Sequence, residues 1–336
     1  MTTNEQYQDL LTTRSLFLER VKGGLSNQIA KLYSDLFDDV EKKILSADVD
    51  MSKVNQLIKE INRNLTIPYA DIGNDLIELA QDEEAFVVKA LNDSIGVNIA
   101  QGLASAKVIE KVATQSLIEG ALLKDWFSSM NASLQFDVDR EIKLGFTQGE
   151  TTKEIRDRLQ NRFKINAKNA DSIILTATST IANNIRESVY QENKSLFGEY
   201  VHSSVLDSRT TEICAIRDNK RWDFVTHKPI GHNLPFRQTP LHFRCRSVLL
   251  PVVKGWKELE KEFDIPEATR ASIDGQIPQS TSFTKWFENK GADFQKEYLG
   301  AKKYELYKQN KLSFTDLFDT KGNPLTVKEL KAKYKA

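Results

Sequence analysis

Apolar residues in the first two hundred positions fall three and four apart. Over residues 25–47 they are Ile29, Leu32, Tyr33, Leu36, Phe37, Val40 and Ile44, which share one face of a helix. Residues 51–64 repeat the spacing with Val54, Leu57, Ile58 and Ile61. Pro68 interrupts it, and residues 71–91 resume it with Ile72, Leu76, Leu79 and Ala80. The stretch 98–116 is Ala- and Ser-rich with a weaker stripe, and residues 122–146 form another amphipathic run carrying Trp126 and Phe127. Stripes of this kind are the packed seam of a helical bundle.

At Gly149 the pattern changes. Thr151-Thr-Lys-Glu154 has the form of a capping box, so a helix is expected to start there, with Ile155, Leu159 and Phe163 inward. A second helix is expected from about 167 to 192, on Ala170, Ile173, Ile174, Ala177, Ile181, Ile185 and Val189. Residues 200–206, 222–226 and 247–253 are rich in β-branched and aromatic residues and read as short strands. The Pro-rich stretch 229–240 reads as a long ordered loop or lid, and 254–281 as linker with short helix. Trp286, Phe287, Phe294, Tyr298 and Leu299 suggest a helical hairpin, and Thr326-Val-Lys-Glu329 is a second capping box. The expected fold is mainly α: a long helical N-terminal arm (1–146), a small α+β domain with short strands and a Cys/His knot (147–254), and a helical C-terminal tail (255–336).

Lys and Arg balance Asp and Glu at 47 each, so net charge argues for neither a nucleic-acid nor a membrane partner. The first residues lack the basic segment and apolar core of a secretory signal, and no run approaches the roughly 18 apolar residues of a membrane span. The expectation is a cytosolic setting with reduced thiols and no membrane partner. Against this even background residues 201–254 stand out. They hold all four histidines, both cysteines and four of the eight prolines, with nine Lys/Arg against four Asp/Glu.

Cys214, His242 and Cys245 are donors suited to zinc. A closed structural site needs four ligands, and Asp207, His202, His232 or water are the candidates for the fourth. The competing reading is two small buried thiols with hydrogen-bonding histidines nearby. Asp207 and Arg209 are placed to brace a turn. Arg217, Lys220, Arg221, Arg244 and Arg246 are the candidates for contact with DNA or an acidic partner. Nucleotide-binding, metalloprotease and nucleophile-elbow motifs are absent from the sequence.

Asp207-Ser-Arg209-Thr210-Thr-Glu-Ile-Cys214, followed by Pro240-Leu-His242-Phe-Arg-Cys245-Arg246, resembles the signature of the phage Mu protein F-like minor head proteins of tailed phages. Trp222 falls where that family often has an aromatic residue in a short hairpin. Members often carry further cysteines where this chain has Thr211 and Ser247, and an Arg-Thr-Glu triplet where it has Leu175-Thr-Ala-Thr178. The resemblance implies a Mu protein F-like domain over 147–254. It also implies a non-enzymatic virion protein made in the host cytoplasm, associated with the portal and with other head or scaffolding proteins, and acting in head morphogenesis and DNA packaging or ejection. Two other readings of the residues are a zinc-dependent hydrolase or nuclease on the Cys/His set, and a sequence-tolerant module for double-stranded DNA.

Overall fold

The computed structural model describes residues 3–47, 53–95, 98–254 and 269–334. Its first part is a helical bundle: α1 (Thr3–Ser46), α2 (Val54–Asn62), α3 (Ala70–Ile95), α4 (Ala106–Gln115), α5 (Leu123–Gln148) and α6 (Thr152–Glu192). Between α4 and α5 a tight turn pairs β1 (Leu117–Ile118) with β2 (Ala121–Leu122). The stripes read from the sequence face one core, in which Ile29, Tyr33, Val40, Ile61, Leu76, Leu134, Ile155 and Ile174 are buried. Phe37 meets Phe163 edge-on at 5.3 Å. The N-terminal helices are therefore packed against α6, on a core that runs across the expected 146/147 boundary.

α6 is one helix of 41 residues where two were expected. No Pro or Gly lies within it, and Asn166, at the expected break, donates its amide back to the Arg162 carbonyl and to Asp137. Its start is as expected: Thr151 Oγ1 accepts from the Glu154 N–H, and the Glu154 carboxylate accepts from the Thr151 N–H. We expect Thr151→Ala to cost about 1 kcal/mol, measured by chemical denaturation, because it leaves the Glu154 N–H without its acceptor. Where α5 turns into α6 the Ile155 side chain packs onto the Gly145 backbone: a Cβ on Gly145 would stand 2.3 Å from Ile155 Cγ1.

The chain then forms a four-stranded antiparallel sheet in the order β5-β4-β3-β6, from β3 (Phe197–Ser203), β4 (Arg221–Asp223), β5 (Pro229–Ile230) and β6 (Val248–Val253). Tyr200 at its centre faces Trp222 on one side and Pro251 on the other. β4 stops at Asp223, short of the expected 226, because the Asp223 carboxylate accepts from the Val225 and Thr226 N–H groups and closes a turn. A second core joins sheet and bundle: Tyr7, Leu11, Val87 and Tyr190 pack with Phe197, Tyr200 and Leu249.

Residues 255–268 of the expected linker lie outside the described residues. The part that follows is a β-hairpin, β7 (Thr269–Ser272) with β8 (Gly275–Pro278), rather than linker and short helix. Its two-residue connection, Ile273-Asp274, ends at Gly275 with φ +105°, a conformation open to glycine. The tail continues as α8 (Phe283–Glu288), α9 (Ala292–Leu299), α10 (Ala301–Gln309) and α11 (Val327–Tyr334). Thr326 and Glu329 cap each other at the start of α11 as expected. A third core buries Phe283, Phe287, Phe314 and Leu317 of the tail against Leu206, Ala215 and Ile216.

Candidate metal centre

A single helical turn, α7 (Glu212–Ala215), follows Thr211 and carries Cys214 into the interior. Cys245 comes from a turn in which its N–H donates to the His242 carbonyl. That turn is fastened to α6 by Arg244. The Arg244 N–H donates to Thr176 Oγ1, and its guanidinium bonds Ser172 and Asp171. α7 and the 242–246 turn thus bring together residues more than twenty-five apart in sequence. Cys214 Sγ lies 3.7 Å from Cys245 Sγ and 3.2 Å from His242 Nε2. The three donor atoms all fall within 4.8 Å of one another. Both thiols are buried and neither is in a disulfide.

The donor set fits zinc. Two sulfurs on one tetrahedral zinc stand about 3.8 Å apart, given Zn–S near 2.3 Å, and the separation here is 3.7 Å. His242 Nδ1 is 2.8 Å from the Phe243 carbonyl, so that nitrogen carries the proton and Nε2 turns its lone pair toward the sulfurs. A second hydrogen bond that fixes the tautomer is what metal-bound imidazoles ordinarily have. One thiol of the pair is poised to ionise. The hydrogen bond from Cys214 brings Cys245 down to about 3, and the same contact pushes Cys214 up. His242 is raised, first by its hydrogen bond with Cys245.

The candidates for a fourth ligand separate. Asp207 is not in the group, because Arg246 grips both its oxygens at 2.7 Å. His232 is spent on the Arg221 carbonyl and the Leu234 N–H. His202 is fully buried, and its Nε2 has no partner among the described residues. Thr211 and Ser247, the positions where cysteines were absent, both border the site. Thr211 Oγ1 is 2.8 Å from His242 Nε2, and Ser247 Oγ is 3.1 Å from Ser204 Oγ.

The Asp207 motif is a brace. Besides Arg246, Asp207 accepts from the Arg209 N–H, and Thr210 Oγ1 donates to the Val205 carbonyl. Arg209 itself points outward, 3.8 Å from Asp207. Trp222 is buried on its indole N–H, which donates to the Leu234 carbonyl and ties the Pro-rich loop to the sheet. Pro240 is half-buried after a cis peptide.

The basic residues read as a contact surface are mostly consumed internally. Arg217 is 0% exposed and donates to the Ile213, Lys321 and Gly322 carbonyls, so it cannot reach DNA. Arg221 pairs with Glu199, Arg244 with Asp171 and Arg246 with Asp207. Lys220 is half-buried. Two of these bases thus pair with acids outside residues 201–254, Glu199 and Asp171, and Arg246 with one inside it.

Sequence reasoning missed Asp218. It is buried, and it takes both the Arg270 guanidinium and the Ser204 and Phe283 N–H groups. It missed Glu83 as well, although the spacing Leu79–Glu83–Val87 sets a carboxylate in an apolar seam. No curated protein and no solved structure matches the chain. Residues 107–250, from α4 to β6, match the family described as Phage Mu protein F like protein.

Proposed function

We propose that the chain is a minor head protein of a tailed phage, a structural component of the virion that works by binding the portal and other head proteins during assembly. The family match over 107–250 carries this reading. It spans both halves of the signature, which the fold brings to one point through Cys214, His242 and Cys245. A role in DNA packaging or ejection follows from that position beside the portal. Among the described residues no helix is long and apolar enough to cross a membrane. The test is whether the chain co-purifies with portal protein and procapsids when the phage head proteins are produced together. Its absence from procapsids and from portal complexes would reject the reading.

The same reading makes the Cys/His group a structural zinc site. Zinc would join α7 to the 242–246 turn and so hold the signature together. A non-catalytic role is supported by the fate of the neighbouring acids. Lys303 binds both oxygens of Glu212 at 2.8 Å, and Arg246 binds both of Asp207, so neither stands ready as a general base. Protein purified without chelator is expected to contain about one zinc per chain, lost in both Cys214→Ser and Cys245→Ser. No stoichiometric metal in the parent protein would reject the zinc assignment and leave the head-protein reading standing.

A further inference from the structure

Phe17, Val21, Gly24 and Leu25 recur three and four apart along α1, and Asp75, Glu78 and Asp82 do the same along α3. The two rows line an open groove of ≈ 420 Å³ between the helices. Leu25 is buried in it, but Val21 is only half-buried. Phe17 stays 36% exposed, although the Arg14 guanidinium lies 4.1 Å over its ring. The bundle therefore covers this apolar row incompletely.

Two observations say what fits there. The first is charge. Asp75, Glu78 and Asp82 are exposed, and none has a hydrogen bond or ion pair among the described residues. No residue lining the groove is basic. Acids elsewhere are held: Glu141 by Arg162, Asp207 by Arg246 and Glu212 by Lys303. Like charges three and four apart on a helix repel one another, and arriving cations relieve that repulsion. The second observation is a pair of glycines. Gly23 and Gly24 stand in the middle of α1, although glycine is the poorest helix former after proline. A Cβ on either would meet nothing within 4 Å, so the chain's own packing does not call for a missing side chain. Gly24 lines the groove, and bare backbone at that point lets a second backbone come close.

We propose that this groove is the docking site for a basic amphipathic helix of a partner protein. The partner's apolar stripe would lie on Phe17, Val21 and Leu25, crossing at Gly24, with its Lys or Arg residues against Asp75, Glu78 and Asp82. An isologous contact between two copies of this chain would gather both acidic rows into one interface, so the occupant is a protein of opposite charge. The groove lies outside residues 107–250, and the proposal does not rest on the head-protein reading.

The test uses the full chain and a synthetic helical peptide of Leu and Lys, its leucines three and four apart on one face, followed by fluorescence anisotropy. Saturable binding that weakens as salt rises is expected. Gly24→Leu fills the groove and leaves its charge, whereas Asp75→Asn/Glu78→Gln/Asp82→Asn removes the charge and leaves its shape. Each should weaken binding about tenfold or more. Leucine is a far better helix former than glycine, so Tm should not fall in Gly24→Leu and lost binding there is not lost folding. Asp35→Asn/Asp38→Asn removes exposed acids of α1 outside the groove and should leave the affinity unchanged. Absence of peptide binding would overturn the proposal, and so would undiminished binding in Gly24→Leu. Equal affinity for a peptide of the same composition with its leucines spread around the helix would reduce the contact to charge attraction and overturn it as well. Self-association of the parent chain in sedimentation, abolished by Gly24→Leu, would make the occupant a second copy and reject the basic partner.

Discussion

Asp218→Ala is expected to destabilise the protein by about 3–5 kcal/mol, the range found when one partner of a buried ion pair is removed. Asp218 is 2% exposed and Arg270 is 8% exposed. Without the carboxylate, the Arg270 guanidinium stays buried and loses its counter-ion. The Ser204 and Phe283 N–H groups lose their acceptors at the same time. These partners belong to the end of β3, to β7 and to the start of α8, so the damage should reach the contact between sheet and tail. Burial raises the Asp218 carboxyl, and the Arg270 charge with the two N–H groups opposes that rise. Chemical denaturation of Asp218→Ala, Arg270→Met and the double variant checks the account. The double variant should recover part of the loss, because it leaves no lone buried charge. A loss below about 1 kcal/mol in Asp218→Ala would show that the pair is idle.

A second large effect is expected in acid. His202 is 0% exposed, and burial brings its imidazole down from 6.5 to about 4, with the Arg217 and Arg270 charges acting in the same direction. Below pH 6.5 the unfolded chain takes up a proton at this residue while the folded chain does not. Stability should therefore be complete above about pH 7 and fall as pH drops from 6.5 to about 4, where the folded imidazole also protonates and the loss levels off. A shift of this size corresponds to roughly 3 kcal/mol at about 1.4 kcal/mol per unit. Denaturation midpoints from pH 7.5 to 4 should show this limb in the parent protein. His202→Gln should flatten it, and an unchanged acid limb in that variant would assign it to other groups.

The bundle was legible because its physics is local. A stripe of apolar residues three and four apart, such as Ile29 to Ile44, has few ways to hide from water except in a helical seam. The two Thr–Glu capping boxes read equally well, since cap and partner sit within four residues. The Cys/His meeting was legible for a different reason: two soft donors and one imidazole in a Pro-rich segment have few other uses. What escaped depends on partners distant in sequence. The break expected near residue 165 is filled because Asn166 finds Asp137 on α5, a contact that no spacing announces. Arg217 looked like a surface base because its acceptors are backbone carbonyls about a hundred residues away, and carbonyls leave no trace in sequence. Asp207 looked available to a metal because Arg246, its actual partner, appeared as a separate basic residue. The β7–β8 hairpin was missed because its four-residue strands are half polar.

The bond from Arg217 to Gly322 also sets a timetable. The two residues are 105 positions apart, and translation at about 5–20 residues per second separates their emergence from the ribosome by ~5–20 s. Over the last two thirds of that interval the segment that matches the family is out, yet Arg217 has no carbonyls of Lys321 and Gly322 to enter against, and Ile216 has no Phe314 to cover it. Gly322 suits its late arrival. Its backbone has φ +74°, and a Cβ there would stand 2.9 Å from Leu234 Cδ2 and 3.0 Å from Arg217 Nη1. The nascent chain thus acquires its buried Arg217 only after Lys321 and Gly322 have been made, and a product released before that point keeps this charge in water.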